Sequence, residues 1–363
     1  MSKIAIIDAD LVGRKKHRFS NLVCMKLSGY HKDKGDDVIL KMDYDGLETF
    51  DHVYLSKVFT DTIVPDGVLS LPNLSYGGTG FYYDKAPALP DDVEHHMPDY
   101  HLYDAWVETQ TESGKRPAEF SYYTDYSIGF LTRGCFRKCD FCVNKKYSRV
   151  QRHSPLSEFF DPKRPKICLL DDNFFGCLAW RDMLDELKST KRPFQFKQGL
   201  DERLLTEDKC EALFESRYDG DYIFAFDNIA DAELIERKIQ LARKYTKAVL
   251  KFYCFTGFDR NDRWDEDFWR NDIFDLFIRI EILMRNRCMP YVMRFARYVE
   301  SPYRGVYITA ARWCNQPSFY KKKTLREFAA MPGNTAANRY ISEFERKFPD
   351  IGYYLDLRFP QQM

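Results

Sequence analysis

Thr132-Arg133-Gly134-Cys135-Phe136-Arg137-Lys138-Cys139-Asp140-Phe141-Cys142-Val143-Asn144 packs three cysteines into eight residues, in the spacing C-x3-C-x2-C. Three thiolates on one short loop can each hold one iron of a cubic [4Fe-4S] cluster. The fourth iron then lacks a protein ligand and stays open to a small molecule that accepts an electron. Thiolates are the usual holders of such clusters. Tetrahedral zinc asks for a fourth Cys or His, and the nearest candidate, His153, lies eleven residues beyond Cys142. The other seven cysteines (Cys24, Cys168, Cys177, Cys210, Cys254, Cys288 and Cys314) form no close pair. They sit mostly in apolar runs and read as small buried hydrophobes.

The bulk of the chain narrows the class. At 363 residues it has room for two or three domains. Hydrophobic residues make 44% and charged residues 30%, the balance of an ordinary globular chain. The 29 Phe and 24 Tyr are enough to fill a core and line a pocket with rings. The 55 basic and 55 acidic residues cancel, so no global field draws the protein to nucleic acid or membrane. No run reaches the ~18 apolar residues of a membrane helix. The opening Met-Ser-Lys-Ile-Ala-Ile-Ile-Asp has too short an apolar stretch for a signal peptide. A cytoplasmic protein with reduced thiols is expected.

Working outward, Ser127-Ile-Gly-Phe-Leu131 reads as the strand that enters the cysteine loop. Five more strand-like runs follow: Lys166–Asp171, Phe194–Gln198, Asp221–Asp227, Ala248–Phe255 and Pro290–Phe295. Helical patterns separate several of them, at Ala179–Ser189, Glu207–Arg217, Ala232–Tyr245 and within Asp267–Arg287; Thr206 reads as an N-cap. Six strands with helical crossovers predict a parallel barrel or part of one, with active residues at the carboxyl ends of its strands. Asp171, Asp172, Asn173, Gln198, Asp201, Arg203, Asp227, Asn228, Tyr253, Thr256, Asp259 and Arg294 lie at or near such ends. Acids there are also ordinary helix caps.

Before the barrel, Lys3–Asp8, Asp37–Lys41, His52–Phe59 and Val68–Pro72 read as strands, with a helix over Phe19–Ser28. This predicts a small doubly wound α/β domain. Gly77-Gly78-Thr79-Gly80 reads as a tight turn able to let backbones approach closely. Asp84–Pro117 reads as an irregular connector, and the tail beyond Arg297 as surface helices.

With these motifs in place, the chain resembles the radical S-adenosylmethionine (radical SAM) superfamily. Leu169-Leu-Asp-Asp-Asn-Phe174 and Gln198-Gly-Leu-Asp-Glu-Arg-Leu-Leu205 resemble strand ends in the branch with an N-terminal cobalamin-binding-like domain. Gly77–Gly80 and Pro98-Asp-Tyr100 are similar to that branch's linker. The likeness spans about Lys3 to Phe328. It implies an α/β protein with a Rossmann-like doubly wound domain over 1–83 and a linker over 84–122. A partial (β/α)6 TIM-type barrel would follow over 123–300, and a small, mainly helical extension over 301–363.

The resemblance also implies a chemistry. Cys135, Cys139 and Cys142 would hold the [4Fe-4S] cluster. S-adenosylmethionine (SAM) would chelate the open iron and be cleaved reductively to a 5'-deoxyadenosyl radical that abstracts a substrate hydrogen. Phe141 would pack near the adenine, and Asp171, Asp172 and Asn173 would hold the amino group. Asp227 would reach the ribose or methionyl end. Gln198, Asp201 and Tyr253 complete the candidate cofactor-binding set. An external electron donor such as flavodoxin or ferredoxin is expected, and the substrate class is open between small molecule and macromolecule. The alternatives are a cobalamin-dependent radical SAM methyltransferase and a non-catalytic metal- or cluster-bearing binding protein. One cobalamin signature is Asp-x-His-x-x-Gly; here it reads Asp8-Ala-Asp10-Leu-Val-Gly13, with a carboxylate in place of the cobalt-ligating imidazole.

Overall fold

The computed structural model describes residues 1–360. The chain forms two compact units, one over residues 1–195 and one from 196 onward.

The first unit opens with a four-stranded sheet built from β1 (Lys3–Asp8), β2 (Asp37–Leu40), β3 (His52–Ser56) and β4 (Leu74–Gly77), in the order β2-β1-β3-β4. Every pairing is parallel. Alternate residues of β1 enter opposite cores, as the two-residue period of a strand requires. Ile4 and Ile6 pack with Cys24, Met25 and Leu27, whereas Ala5 and Ile7 pack with Val53 and Leu55. Burial on both faces is the normal state of a parallel sheet.

Two elements differ from their expected places. The helix expected at Phe19 starts at Leu22 and runs to Asp33. Asn21 sets that start, its Oδ1 accepting from Val23 N at 3.1 Å and Cys24 N at 3.4 Å. Val68–Pro72 is no strand: Asp66–Ser70 forms a 3-10 turn and β4 follows. Pro72 has no N–H for a ladder, which displaces the pairing beyond it.

The stretch read as an irregular connector is more ordered than that. It carries helices at Asp91–Glu94 and Asp104–Glu112, and it buries Tyr100, Leu102 and Tyr103 in the core that holds Ile4 and Ile6. Tyr103 donates to Asp8 Oδ2 at 3.0 Å and accepts from Asn21 N at 3.1 Å. Burial pushes the Asp8 carboxyl up to about 7.

Beyond it come β5 (Tyr126–Gly129), β6 (Thr132–Arg133), β7 (Gln151–Arg152), β8 (Lys166–Leu169) and β9 (Phe194–Phe196). β5, β8 and β9 form one sheet in that order, and β6 pairs antiparallel with β7. The second unit has β10 (Tyr222–Ala225), β11 (Leu250–Thr256) and β12 (Met289–Arg294), all parallel. A helix at Trp180–Ser189 lies between β8 and β9, one at Glu207–Phe214 precedes β10, and helices at Ala232–Arg243 and Glu266–Arg285 follow β10 and β11. All six expected strands and four expected helices of this region are therefore present, within a few residues. Thr206 takes the N-cap place, but its hydroxyl goes to Asp208 and leaves the backbone uncapped. Short helices from Arg304 to Leu355 complete the unit. The fold is a mixed α/β one with parallel sheets. Among the described residues no helix is long and apolar enough to cross a membrane.

Candidate functional site

The cysteine loop leaves β6 and returns at β7, with Thr132 opposite Arg152 and Arg133 opposite Gln151. Gly134 opens it at φ 98°, and a Cβ there would lie 2.3 Å from Arg149 O. Only glycine meets both demands. Inside, Cys142 N donates to Cys139 O at 3.0 Å, and Lys145 Nζ reaches Cys139 O at 2.5 Å. Lys138 Nζ reaches Tyr147 O at 3.1 Å. The loop is thus stapled by its own lysines. Cys135, Cys139 and Cys142 are partly buried and in no disulfide, whereas the other seven cysteines are buried, as expected for core residues.

The end of β8 supports this loop from below. Asp171 is 1% exposed and accepts from Leu131 N at 3.2 Å, Thr132 N at 2.7 Å and Thr132 Oγ1 at 2.6 Å. Burial pushes its carboxyl up to about 7 against those donors. Asp172 Oδ2 accepts from Gly134 N at 2.9 Å. Asn173 Nδ2 donates to Cys135 Sγ at 3.4 Å, while its Oδ1 is buried with no partner. Each of the three residues therefore touches the loop or its root. Asp171 holds the backbone that enters the loop.

Cys135 Sγ also accepts from Arg137 N at 3.3 Å, and Cys142 Sγ from Asn144 N at 3.4 Å. The Asn144 bond favours thiolate at Cys142; against it, burial pushes that thiol up, and the neighbouring Cys135 and Asp172 charges add to the rise. Three thiols, two of them accepting from amide donors, suit a cluster. Among the described residues, no three His, Cys, Asp or Glu side chains converge on one metal-ion position. His153, the nearest candidate for a fourth zinc ligand, is engaged elsewhere: Nδ1 meets Ser154 Oγ at 3.0 Å and Nε2 lies 3.5 Å from Glu94. Burial, then the Arg133 charge, pushes it down to about 4, so it stays neutral.

In the second unit, Asp201 is buried and accepts from Arg203 Nε at 2.6 Å; Arg203 also reaches Asp231 at 2.7 Å. Asp227 Oδ1 accepts from Phe255 N at 2.8 Å, and burial raises its carboxyl. Arg279, 2% exposed, donates to Phe226 O at 2.8 Å and Phe255 O at 3.0 Å, tying the ends of β10 and β11. Sequence reading missed Arg279, because an arginine inside an apolar helical stripe gives no sign of its long-range acceptors. Asp259 caps its own loop, accepting from Asn261, Arg263 and Trp264. Tyr253 stands beside Tyr291, ring centroids 5.6 Å apart, and Arg294 covers Tyr298 at 4.4 Å. Gln198 is exposed.

The Asp8–Gly13 turn does not fit a cobalt ligand. Asp10 is 1% exposed and accepts from Val58 N at 2.7 Å, Phe59 N at 3.4 Å and Thr62 Oγ1 at 2.5 Å. Its carboxylate closes the loop after β3.

No protein-family model matches the chain. No curated protein matches it either. Solved structures do. One of the radical S-adenosylmethionine methyltransferase TsrM from Kitasatospora setae, with cobalamin and a [4Fe-4S] cluster bound, aligns at a TM-score of 0.52. Identity is 11%, over 81% of this chain and 75% of that one. Another TsrM structure, with tryptophan substrate and the SAM analogue aza-SAM bound, aligns at 0.53 with 12% identity, over 85% and 76%. The resemblance to the radical SAM superfamily read from the cysteine loop is borne out at the level of the fold.

Proposed function

We propose that the chain is a radical SAM enzyme. The observation that carries this is the three-thiol loop gripped by Asp171, Asp172 and Asn173 at the end of β8, on a fold shared with a radical SAM protein. A [4Fe-4S] cluster with SAM supplies, when bound, one-electron cleavage of the sulfonium to a 5'-deoxyadenosyl radical for hydrogen abstraction. The protein's own part is to hold and orient. Cys135, Cys139 and Cys142 would be the ligands. Asn173 Oδ1, buried and partnerless, suits an amino donor such as that of SAM. Asp172, bonded to the loop's Gly134, and Phe141, within the loop, are proposed at the methionyl and adenine ends. Gln198, Asp201, Asp227 and Tyr253 remain proposed contacts of the second unit. We also propose the finer arrangement of a Rossmann-like domain over 1–83, a linker, a partial (β/α)6 barrel over 123–300 and a helical extension. A cytoplasmic location and a flavodoxin- or ferredoxin-like donor belong to the same reading.

A cobalamin-dependent methyltransferase is the second reading, favoured by the fold of TsrM. The engagement of Asp10 speaks against a protein ligand to cobalt. Anaerobic reconstitution tests the first reading. Near four irons per chain, with 5'-deoxyadenosine released from SAM on reduction, is the expected result. Zinc without iron would refute it. Corrinoid retained after gel filtration would favour the second.

A further inference from the structure

The Gly77–Gly80 turn has a structural use that leads to the cysteine loop. Gly80 N donates to Lys57 O at 2.9 Å and Lys57 N donates to Gly77 O at 3.0 Å. Gly78 has φ 107°, and a Cβ there would lie 2.2 Å from Lys57 O. The turn is therefore pressed against the end of β3 and fixes where the chain goes next. Within three residues it delivers Tyr83, whose φ is 50°. Aromatic residues rarely adopt this left-handed conformation, and such strain persists only where surrounding contacts enforce it.

The contact is with the loop. Tyr83 OH donates to Phe141 O at 2.6 Å, the carbonyl of the peptide that ends in Cys142 N. Three residues on, Lys146 Nζ donates to Ala86 O at 2.6 Å. At the loop's root, Glu94 Oε1 lies 3.8 Å from Arg133 Nη2 and 3.5 Å from His153 Nε2. Segment 83–94 thus meets the loop near its third cysteine and again at its base.

We propose that Tyr83 is a positioning residue for the cysteine loop: its hydroxyl fixes the Phe141–Cys142 peptide and so sets where Cys142 meets the cluster. This rests on the cluster-binding function proposed above. Outer partners of metal ligands orient them, and their loss typically costs about 10- to 100-fold in metal affinity or activity. Hydrogen bonding and solvent exposure around a cluster also set its potential.

The test uses the full chain as wild type, Tyr83→Phe, Tyr83→Ala and the neighbouring control Tyr82→Phe. The metal-free proteins are cut with trypsin, whose sites in the loop include Lys138, Lys145 and Lys146. The reconstituted proteins are stripped with a chelator and titrated for cluster potential by electron paramagnetic resonance. Expected are faster loop cleavage, about tenfold or more faster iron loss and a shifted potential in both Tyr83 variants. Tyr82→Phe should match wild type. If Tyr83→Phe behaves as wild type while Tyr83→Ala does not, only the ring packs and the inference is overturned. If wild type takes up no iron, the proposed function fails and Tyr83's role at a cluster fails with it. If wild type takes up iron and neither variant differs from it, only this inference fails.

Discussion

The Asn173 amide donates to Cys135 Sγ at 3.4 Å, so the end of β8 touches the first cysteine of the loop directly. Asn173→Asp replaces that donor by a carboxylate beside a thiolate. Like charges repel, so iron uptake on reconstitution should fall. Asn173→Ala removes the donor without adding charge. It should keep its iron and lose about 10- to 100-fold in the rate of 5'-deoxyadenosine release, the usual scale for an outer partner. Iron analysis and product assay of the two variants check this.

Cys139→Ala should abolish cluster binding and SAM cleavage and leave the fold intact. Cys139 is only partly buried and lies outside the two cores that pack on β1. Circular dichroism, iron content and SAM cleavage on one preparation test it. Retained cleavage would count against the ligand assignment.

Asp171→Ala should destabilise the first unit by at least about 3 kcal/mol, because it strands two buried N–H donors and a buried hydroxyl. The donors are those of Leu131 and Thr132, at the entrance to the cysteine loop. Asp171→Asn keeps one acceptor oxygen and should cost less. Urea unfolding of both variants gives the comparison.

Glu202 gives a pH prediction. It is buried, its Oε2 accepts a long 3.2 Å bond from Ala225 N, and its Oε1 has no partner among the described residues. Burial, then the Asp201 charge, pushes its carboxyl from 4.5 up to about 8. Between those values the folded state holds a proton that the unfolded state has lost. Its stabilising contribution is complete below 4.5 and is lost as pH rises through about 8. Asp8 and Asp171 act in the same direction, so wild type alone does not isolate Glu202. Glu202→Gln should remove up to about 1.4 kcal/mol per pH unit of that slope, read from urea unfolding across the window.

The cysteine spacing marked the proposed ligands and the apolar runs made all six later strands legible, because both are local patterns. Boundaries slipped where a single residue overrode the run, as Asn21 and Pro72 do. The supporting cast was not legible. Asp10 meets Val58 and Thr62 across 48 and 52 residues, and Tyr83 meets Phe141 across 58. No periodicity encodes such contacts. The buried acids at strand ends were found, but the partner each one serves could be learned only from the folded chain.

The β6–β7 ladder has a consequence for the life of the protein. Because Thr132 and Arg133 pair with Arg152 and Gln151, the two ends of the loop are joined by backbone alone. The entropy of closing that loop is therefore met without any metal. A zinc finger's folding awaits its ion; here a backbone ladder closes the loop at its root. The proposed cluster would enter a loop whose ends are already paired, and its loss would leave that pairing in place.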